Sequence, residues 1–226
     1  MRPISRGPAP NTYLRYQDAI GDLEARLGTY CTYCERRLPI SLAVEHISPK
    51  SIARHLETSW DNFLLGCTNC NSVKGDALVD MDDWLWPDRD NTLRAFSYSE
   101  GGFVQTTGIA QEQAERLLDL VGLRRHGAIP GRQPAPRDKR WKDREQVFAI
   151  AQRQRDILLR FPEETREEAL QLIVDTAVGW GFFSCWLAVF HDNPEFCRQL
   201  ITCMPGTAAD CFDDSGIPIP RPGGRC

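Results

Sequence analysis

The sequence predicts an α+β fold that is mostly helical. Apolar residues recur at helical spacing over Thr12–Leu27 and Glu112–Leu123, and Trp141–Leu200 has the pattern of three or four further helices. The strand signals are short by comparison. They are the piece SLAVE at 41–45 and a glycine-turned hairpin near 95–104.

Composition narrows the class of protein. The 226 residues are 42% hydrophobic and 26% charged with a net charge of −4, which is typical of a soluble globular protein and not of a polycation. The longest apolar run, Thr176–Phe190, is shorter than the ~20 residues of a membrane span, so it is predicted to be one buried helix. The start lacks a signal-peptide h-region, and the nine cysteines are an odd number. We therefore expect a cytoplasmic, reducing location, where paired cysteines more often bind metal than form disulfides.

Composition shifts divide the chain into six segments. These are an N-terminal arm and helix (1–29), a metal-binding core (30–80), a hairpin and helix extension (81–123), a basic linker (124–144), a C-terminal helical region (145–204) and an irregular tail (205–226). The linker has eight basic residues against two acidic ones, beginning with Arg124 and Arg125. A nucleic-acid contact and a solvated charged linker explain this excess equally well.

Two Cys-x-x-Cys pairs carry the first chemical signal. Cys31 with Cys34, and Cys67 with Cys70, supply four thiolates at the spacing of one tetrahedral structural zinc site. The alternatives are four unrelated thiols or a redox pair, and two matched pairs argue against both.

The segment between the pairs has more polar groups than a structural zinc site requires. Glu45-His46 suits metal-assisted hydrolysis, with Glu45 holding a hard cation and His46 taking a proton from water; a surface ion pair is the alternative. Asn71 and Lys74 lie three apart at the start of a helix, where an amide oxygen can bind the cation and an ammonium can bind phosphate. A helix cap and a solvated lysine are equally good explanations. Asn62 braces the His46 loop or is an ordinary turn residue.

The complete pattern resembles a known family. Over about residues 30–76, three motifs occur in order: Cys-x-x-Cys, Glu-His-x-x-Pro and Trp-x-Asn-x-x-x-x-Cys-x-x-Cys-Asn-x-x-Lys. Together they are similar to the HNH nucleases, in which two short strands and a helix hold a divalent metal (the ββα-metal fold). The resemblance implies that His46 is the general base, that Glu45 and Asn71 bind the metal, and that Asn62 steadies the base. Asn71 stands where the family usually has a histidine, and Glu45 where it more often has aspartate. Such hard ligands favour Mg²⁺ or Mn²⁺ over zinc for catalysis.

The implied reaction is hydrolysis of phosphodiester bonds, with DNA the expected substrate. Four basic residues are expected to hold backbone phosphates: Lys50, Lys74, Arg124 and Arg125. The alternative function is a non-catalytic zinc module that binds nucleic acid or protein. A third reading is a nuclease that is silent without its partner.

A looser resemblance extends beyond the metal segment. Four segments are similar to the HNH subunit of Septu-type anti-phage systems. They are Met1-Arg2-Pro3, the Tyr-Cys-x-Tyr-Cys-Glu-Arg run, Trp86-Pro87-Asp88, and the Phe182-Phe183 and Trp186 block. That resemblance implies a role in bacterial defence beside an ATPase partner with an ABC/SMC-like fold.

Overall fold

The structure is a computed structural model that describes residues 1–81 and 83–226. Within that part of the chain, helices surround two separate antiparallel sheets of two strands each. In chain order the elements are α1 (Ile20–Leu27), β1 (Leu42–His46), β2 (Phe63–Cys67), α2 (Thr68–Lys74), α3 (Thr92–Ala95), β3 (Phe96–Ser99), β4 (Phe103–Thr106), α4 (Gln111–Leu120), α5 (Arg140–Leu158), α6 (Glu163–Trp180), α7 (Phe183–Val189) and α8 (Pro194–Cys203). The predicted class, a mostly helical α+β fold, is confirmed.

The first sheet and α2 form a ββα unit. Strand β1 pairs with β2 from Leu42 opposite Cys67 to His46 opposite Phe63, and α2 follows β2 without a loop. The helix begins at Thr68. It does so because the sulfur of Cys67 accepts the Cys70 backbone N–H at 3.4 Å and caps the first turn.

The second sheet is the predicted hairpin. Its turn contains Gly101 and Gly102 at φ 79° and 76°, a left-handed conformation that favours glycine. Gly102 has a second constraint, because a Cβ there would lie 2.3 Å from the carbonyl oxygen of Trp141 in α5. The turn therefore packs directly on the backbone of α5, which attaches the hairpin to the helical region.

The apolar run Thr176–Phe190 is not one helix, so that prediction was wrong. Gly181 has φ 77° and ends α6, and α7 begins after Phe182. A Cβ at Gly181 would lie 2.5 Å from the carbonyl oxygen of Glu35. The chain breaks here because the first cysteine pair packs against this corner. The aromatic side chains of the run do lie in the core, as expected, with Phe183 fully buried.

Buried side chains form two clusters. One contains the N-terminal arm, the ββα unit, the hairpin and α4, and the other contains the helices from α5 onward. The arm is part of the fold, since Arg2 is buried and its guanidinium donates to the carbonyl oxygens of Leu27 at 3.0 Å and Pro205 at 2.6 Å. The last residues of the basic linker, 140–144, form the first turns of a helix. Helix α5 begins at Arg140, and Arg140 and Arg144 are both buried.

None of the helices in the described residues has the length and apolar composition needed to span a lipid bilayer.

Candidate active site and zinc cluster

The four predicted zinc ligands meet at one point. The sulfurs of Cys31, Cys34, Cys67 and Cys70 all lie within 4.8 Å of one another, and all four residues are buried. Cys34 Sγ and Cys67 Sγ are 3.7 Å apart. A tetrahedral zinc ion with Zn–S bonds of about 2.3 Å requires sulfurs about 3.8 Å apart. The donor set and its spacing therefore fit a structural zinc site.

The surroundings of the sulfurs favour bound thiolates. The backbone N–H of Cys67 donates to Cys31 Sγ at 3.3 Å, and that of Cys70 donates to Cys67 Sγ at 3.4 Å. Burial and the neighbouring thiols raise the pKa of Cys70 well above its ordinary value. Four buried thiols will not all ionise without a cation among them. Zinc at this point would also fix Asn71, the residue after Cys70, relative to β1.

His46 is held in one tautomer. Its Nε2 lies 2.9 Å from the carbonyl oxygen of Glu57, which can only accept a hydrogen bond, so Nε2 carries the proton. Nδ1 consequently keeps a free lone pair, as a general base requires. The ring packs edge-on against Tyr16 at 4.8 Å and Phe63 at 5.3 Å between centroids. These contacts limit rotation of the imidazole.

Asn62 closes the loop that follows His46. Its Oδ1 accepts the backbone N–H of Ser48 at 2.8 Å, and its Nδ2 donates to the carbonyl oxygens of Ser48 at 3.0 Å and Leu56 at 3.2 Å. The side chain is buried. It ties both ends of the loop together and so fixes the Glu57 carbonyl that orients His46, an arrangement consistent with the bracing expected from the sequence.

Glu45 and Lys74 form a buried ion pair. Lys74 Nζ is 2.9 Å from Glu45 Oε1 and donates to the His46 carbonyl oxygen at 2.7 Å, and both side chains are 2% exposed. Lys74 lines the cleft of the candidate site but is buried and ion-paired, so its phosphate contact stays a prediction. Both residues lie in α2 as the helical spacing predicted for Asn71 and Lys74, and the long side chain of Lys74 turns inward to the Glu45 carboxylate.

The pair leaves part of Glu45 unsatisfied. Among the described residues Oε1 has no aligned hydrogen-bond donor, although the Lys74 ammonium is an ionic neighbour. Burial raises the pKa of Glu45, and the Lys74 charge opposes that rise. A buried oxygen with incomplete partners, beside a cleft, is consistent with a carboxylate that binds a metal ion in addition to the Lys74 ammonium.

A cleft of about 250 Å³ brings the candidates together. Glu45, His46 and Asn71 all line it, and Asn71 is half-buried. The volume has room for about eight waters at roughly 30 Å³ each, enough for a phosphate group with a hydrated ion. Carboxylate and amide oxygens are the donors that Mg²⁺ and Mn²⁺ prefer, so the residues present fit such an ion.

Tyr16, from the short 3₁₀ helix before α1, is a cleft residue that the motif analysis did not select. Lys50 donates to its hydroxyl at 3.0 Å and lies 4.2 Å from its ring centroid, while the ring edge contacts His46. Its helical spacing with other apolar residues predicted that Tyr16 belongs to the apolar face of the first helix. Its hydroxyl and its neighbour Lys50 instead form one wall of the cleft.

Arg6 is a second contributor from the N-terminal arm. Its guanidinium donates to the carbonyl oxygens of Asp61 at 2.7 Å and Phe63 at 2.9 Å, on either side of Asn62, and pairs with Asp88 at 2.9 Å. Arg6 therefore fixes the backbone from which Asn62 extends. No local sequence pattern connects the arm with this loop.

The two linker arginines proposed as phosphate contacts lie in a different environment from Lys50. Arg124 is paired with Asp119 and is also 3.7 Å from Glu115, both in α4. Its charge is balanced within the protein, and its role as a phosphate ligand stays a prediction. Arg125 is half-buried beside it. Neither arginine lines the cleft of the candidate active site.

A larger cavity of about 410 Å³ lies elsewhere, between the hairpin, α7 and the tail. Its walls are mainly apolar, and two of its polar groups have partners: Ser184 bonds to Glu35, and Tyr98 accepts from the Met1 amino group. It lacks the convergent acid, base and amide of the smaller cleft.

Comparison with known proteins agrees with this geometry. The family model described as HNH endonuclease matches residues 31–77, which contain both cysteine pairs and the ββα unit. Residues 31–77 are therefore an HNH endonuclease domain. No curated protein and no solved structure matches the chain. The looser similarity proposed for the remaining segments stays a prediction.

The position of His46 predicts the pH dependence of any reaction in which it is the base. Burial, with the Lys50 and Lys74 charges, lowers its pKa below the ordinary 6.5. A base is active when neutral, so the midpoint of the single-turnover rate profile should lie below pH 6.5, with the rate approaching unit slope at lower pH. Rates measured from pH 5 to 8 at saturating Mg²⁺ test this. A midpoint above 6.5 would contradict the assignment.

Proposed function

We propose that this protein is an endonuclease that requires a divalent metal and hydrolyses phosphodiester bonds of nucleic acid, with DNA as the substrate. The observation that supports this best is the convergence of Glu45, His46 and Asn71 on one cleft inside the HNH domain. A zinc scaffold alone requires only the four cysteines. It does not account for a buried carboxylate, an oriented imidazole and an amide at a common surface.

The reaction proceeds by attack of water on phosphorus. Nδ1 of His46 accepts a proton from the water as its oxygen forms the new P–O bond, and the bond to the 3′ oxygen breaks. That oxygen leaves with the electron pair and takes a proton from solvent, giving 5′-phosphate and 3′-hydroxyl ends. The Glu57 carbonyl stabilises the imidazolium through Nε2–H, because a carbonyl dipole favours a positively charged donor.

Glu45 and Asn71 would hold Mg²⁺ or Mn²⁺, which when bound supplies positive charge for the phosphate oxygens and the leaving group. Lys74 keeps Glu45 ionised at the cleft and so supports cation binding indirectly. Lys50, exposed at the rim and hydrogen-bonded to Tyr16, is the basic group best placed to contact the backbone of the substrate. With Arg124 balanced by acidic groups, we expect weak, salt-sensitive binding to nucleic acid by the isolated protein.

The biological setting is the finer part of this proposal. We propose that the protein is the effector of a bacterial anti-phage system, in which an ATPase partner with an ABC/SMC-like fold recruits the substrate. Support comes from the looser sequence similarity to Septu-type subunits and from the small basic surface of the cleft. Association with the product of a neighbouring ATPase gene, measured by pull-down, tests this part separately.

Replacing His46 by alanine tests the proposed activity. We expect His46→Ala to reduce plasmid cleavage by about 10²–10⁴-fold in Mg²⁺, because a positioned general base contributes that much. His55→Ala is the matched control, since His55 is exposed in the same loop and should cleave normally. Cleavage of supercoiled plasmid is followed on gels, with and without EDTA. Equal rates for wild type and His46→Ala would leave a non-catalytic zinc module as the better function.

A further inference from the structure

Arg140 makes an unusual contact with the zinc cluster. This arginine is the first residue of α5 and is 2% exposed. One of its terminal nitrogens, Nη1, lies 3.0 Å from Cys70 Sγ and 2.7 Å from the Val121 carbonyl oxygen. The rest of the guanidinium is fixed by Asp138, with Nε 2.8 Å from Oδ1 and Nη2 2.6 Å from Oδ2. The two hydrogen bonds to the Asp138 carboxylate orient Nη1 toward the Cys70 sulfur.

The charge of the cluster explains why a cation lies there. Zinc with four thiolates carries an excess of two negative charges, and here the sulfurs are buried. Such an excess is strongly unfavourable in a low-dielectric interior unless donors or cations neighbour it. A neutral thiol is a weak acceptor, whereas a thiolate accepts a charge-assisted bond from a guanidinium. Arg140, at the start of α5, thus places a cation against the Cys70 sulfur.

The contact also lies between the two hydrophobic cores. The ligand cysteines belong to the first core, and α5 contributes Val147 and Ala151 to the second. Glu35, which follows Cys34 in the chain, makes a second connection. Its carboxylate accepts the backbone N–H of Ser184, at the start of α7, at 3.0 Å. The zinc cluster therefore adjoins the junction of the nuclease domain with the helical region on two sides.

We propose that Arg140 is a positioning residue of the zinc cluster, acting through the Cys70 thiolate, and that it couples zinc retention to docking of the helical region. The proposal requires the zinc assignment but is independent of the nuclease function. Removal of Arg140 should weaken zinc binding by about 10–100-fold, the usual effect of losing a hydrogen-bond partner of a metal ligand.

The test compares full-length Arg140→Met and Arg140→Lys with wild type. Arg144→Met is the matched control, because Arg144 is equally buried one turn further along α5 but donates to the carbonyl oxygens of Gly102 and Leu123 instead of sulfur. Zinc affinity is measured by competition with a chromogenic chelator. The cobalt-substituted proteins are compared by their thiolate-to-metal charge-transfer band, which moves to longer wavelength when a thiolate loses a hydrogen bond.

We expect Arg140→Met to show weaker zinc binding and a red-shifted cobalt band, with partial recovery in Arg140→Lys and a wild-type band in Arg144→Met. A wild-type band and zinc affinity in Arg140→Met, or the same changes in Arg144→Met, would overturn the proposal. If Arg140→Met does not fold, Arg140→Lys serves as the test variant, since lysine keeps the charge but lacks the fork that Asp138 orients. A red-shifted cobalt band in Arg140→Lys would then support the proposal, and a wild-type band would overturn it. Absence of zinc from purified wild-type protein would instead refute the zinc assignment.

Discussion

Replacing Cys67 by serine should release the zinc and unfold the ββα unit. Strands β1 and β2 form an isolated two-stranded sheet, which is marginally stable alone. The zinc site ties the end of β2 to the first cysteine pair, and structural zinc sites carry an apparent binding free energy of about 10–16 kcal/mol. Losing even a fraction of that exceeds the stability margin of most domains. Serine at position 67 can still cap α2 through its hydroxyl oxygen, so the expected loss comes from the zinc site and not from the helix start.

The change is followed by metal analysis, circular dichroism and hydrogen exchange. Amides of β1 and β2 should lose protection, while α6 and α8, which pack in the second core, should keep much of theirs. Cys197→Ser is the matched control, because Cys197 is also buried and its sulfur already donates to the Phe190 carbonyl oxygen at 3.4 Å. It should retain zinc. A Cys67→Ser protein with full zinc content and protected β1 amides would contradict the assignment.

The zinc cluster and the ββα unit could be predicted from the sequence because their signals are local or chemically specific. Paired cysteines have few uses in a reducing compartment, so spacing alone pointed to the observed cluster of Cys31 with its three partners. The hairpin followed from Gly101-Gly102, since adjacent left-handed positions are rare outside turns. These predictions did not depend on knowing which distant residues pack together.

Charge pairing could not be predicted from the sequence. Lys74, Arg124 and Arg140 each have a carboxylate partner in the fold. A sequence shows charge but not which side chains meet. Tyr16 and Arg6 were missed for the same reason, because Arg6 acts on the backbone of Phe63, which lies 57 residues further along the chain. The candidate site was therefore predicted as a set of residue types, but its supporting contacts were not.

Lys74→Met should destabilise the protein by about 3–5 kcal/mol at neutral pH, because it leaves the Glu45 carboxylate buried without its counter-charge. The penalty should depend on pH in a definite direction. Burial already holds the pKa of Glu45 above its unfolded value, and loss of Lys74 raises it further. A raised carboxyl pKa destabilises the fold as pH rises and the group ionises, so the penalty shrinks when pH falls below the pKa of Glu45 in the folded state. Urea unfolding of wild type and variant at pH 4.5 and 7.5 measures the difference.

A double variant separates stability from activity. Glu45→Gln with Lys74→Met removes both charges, so much of the lost stability should return, because the paired and the uncharged arrangements are similar in free energy. Cleavage should not return, since a neutral amide at 45 is a weaker cation ligand than a carboxylate. Arg116→Met is the control for charge loss at an exposed pair with Asp83 and should change stability by at most about 1 kcal/mol. If the double variant were no more stable than Lys74→Met, the two residues would not act as a pair. If it cleaved DNA like wild type, Glu45 would not be the metal ligand.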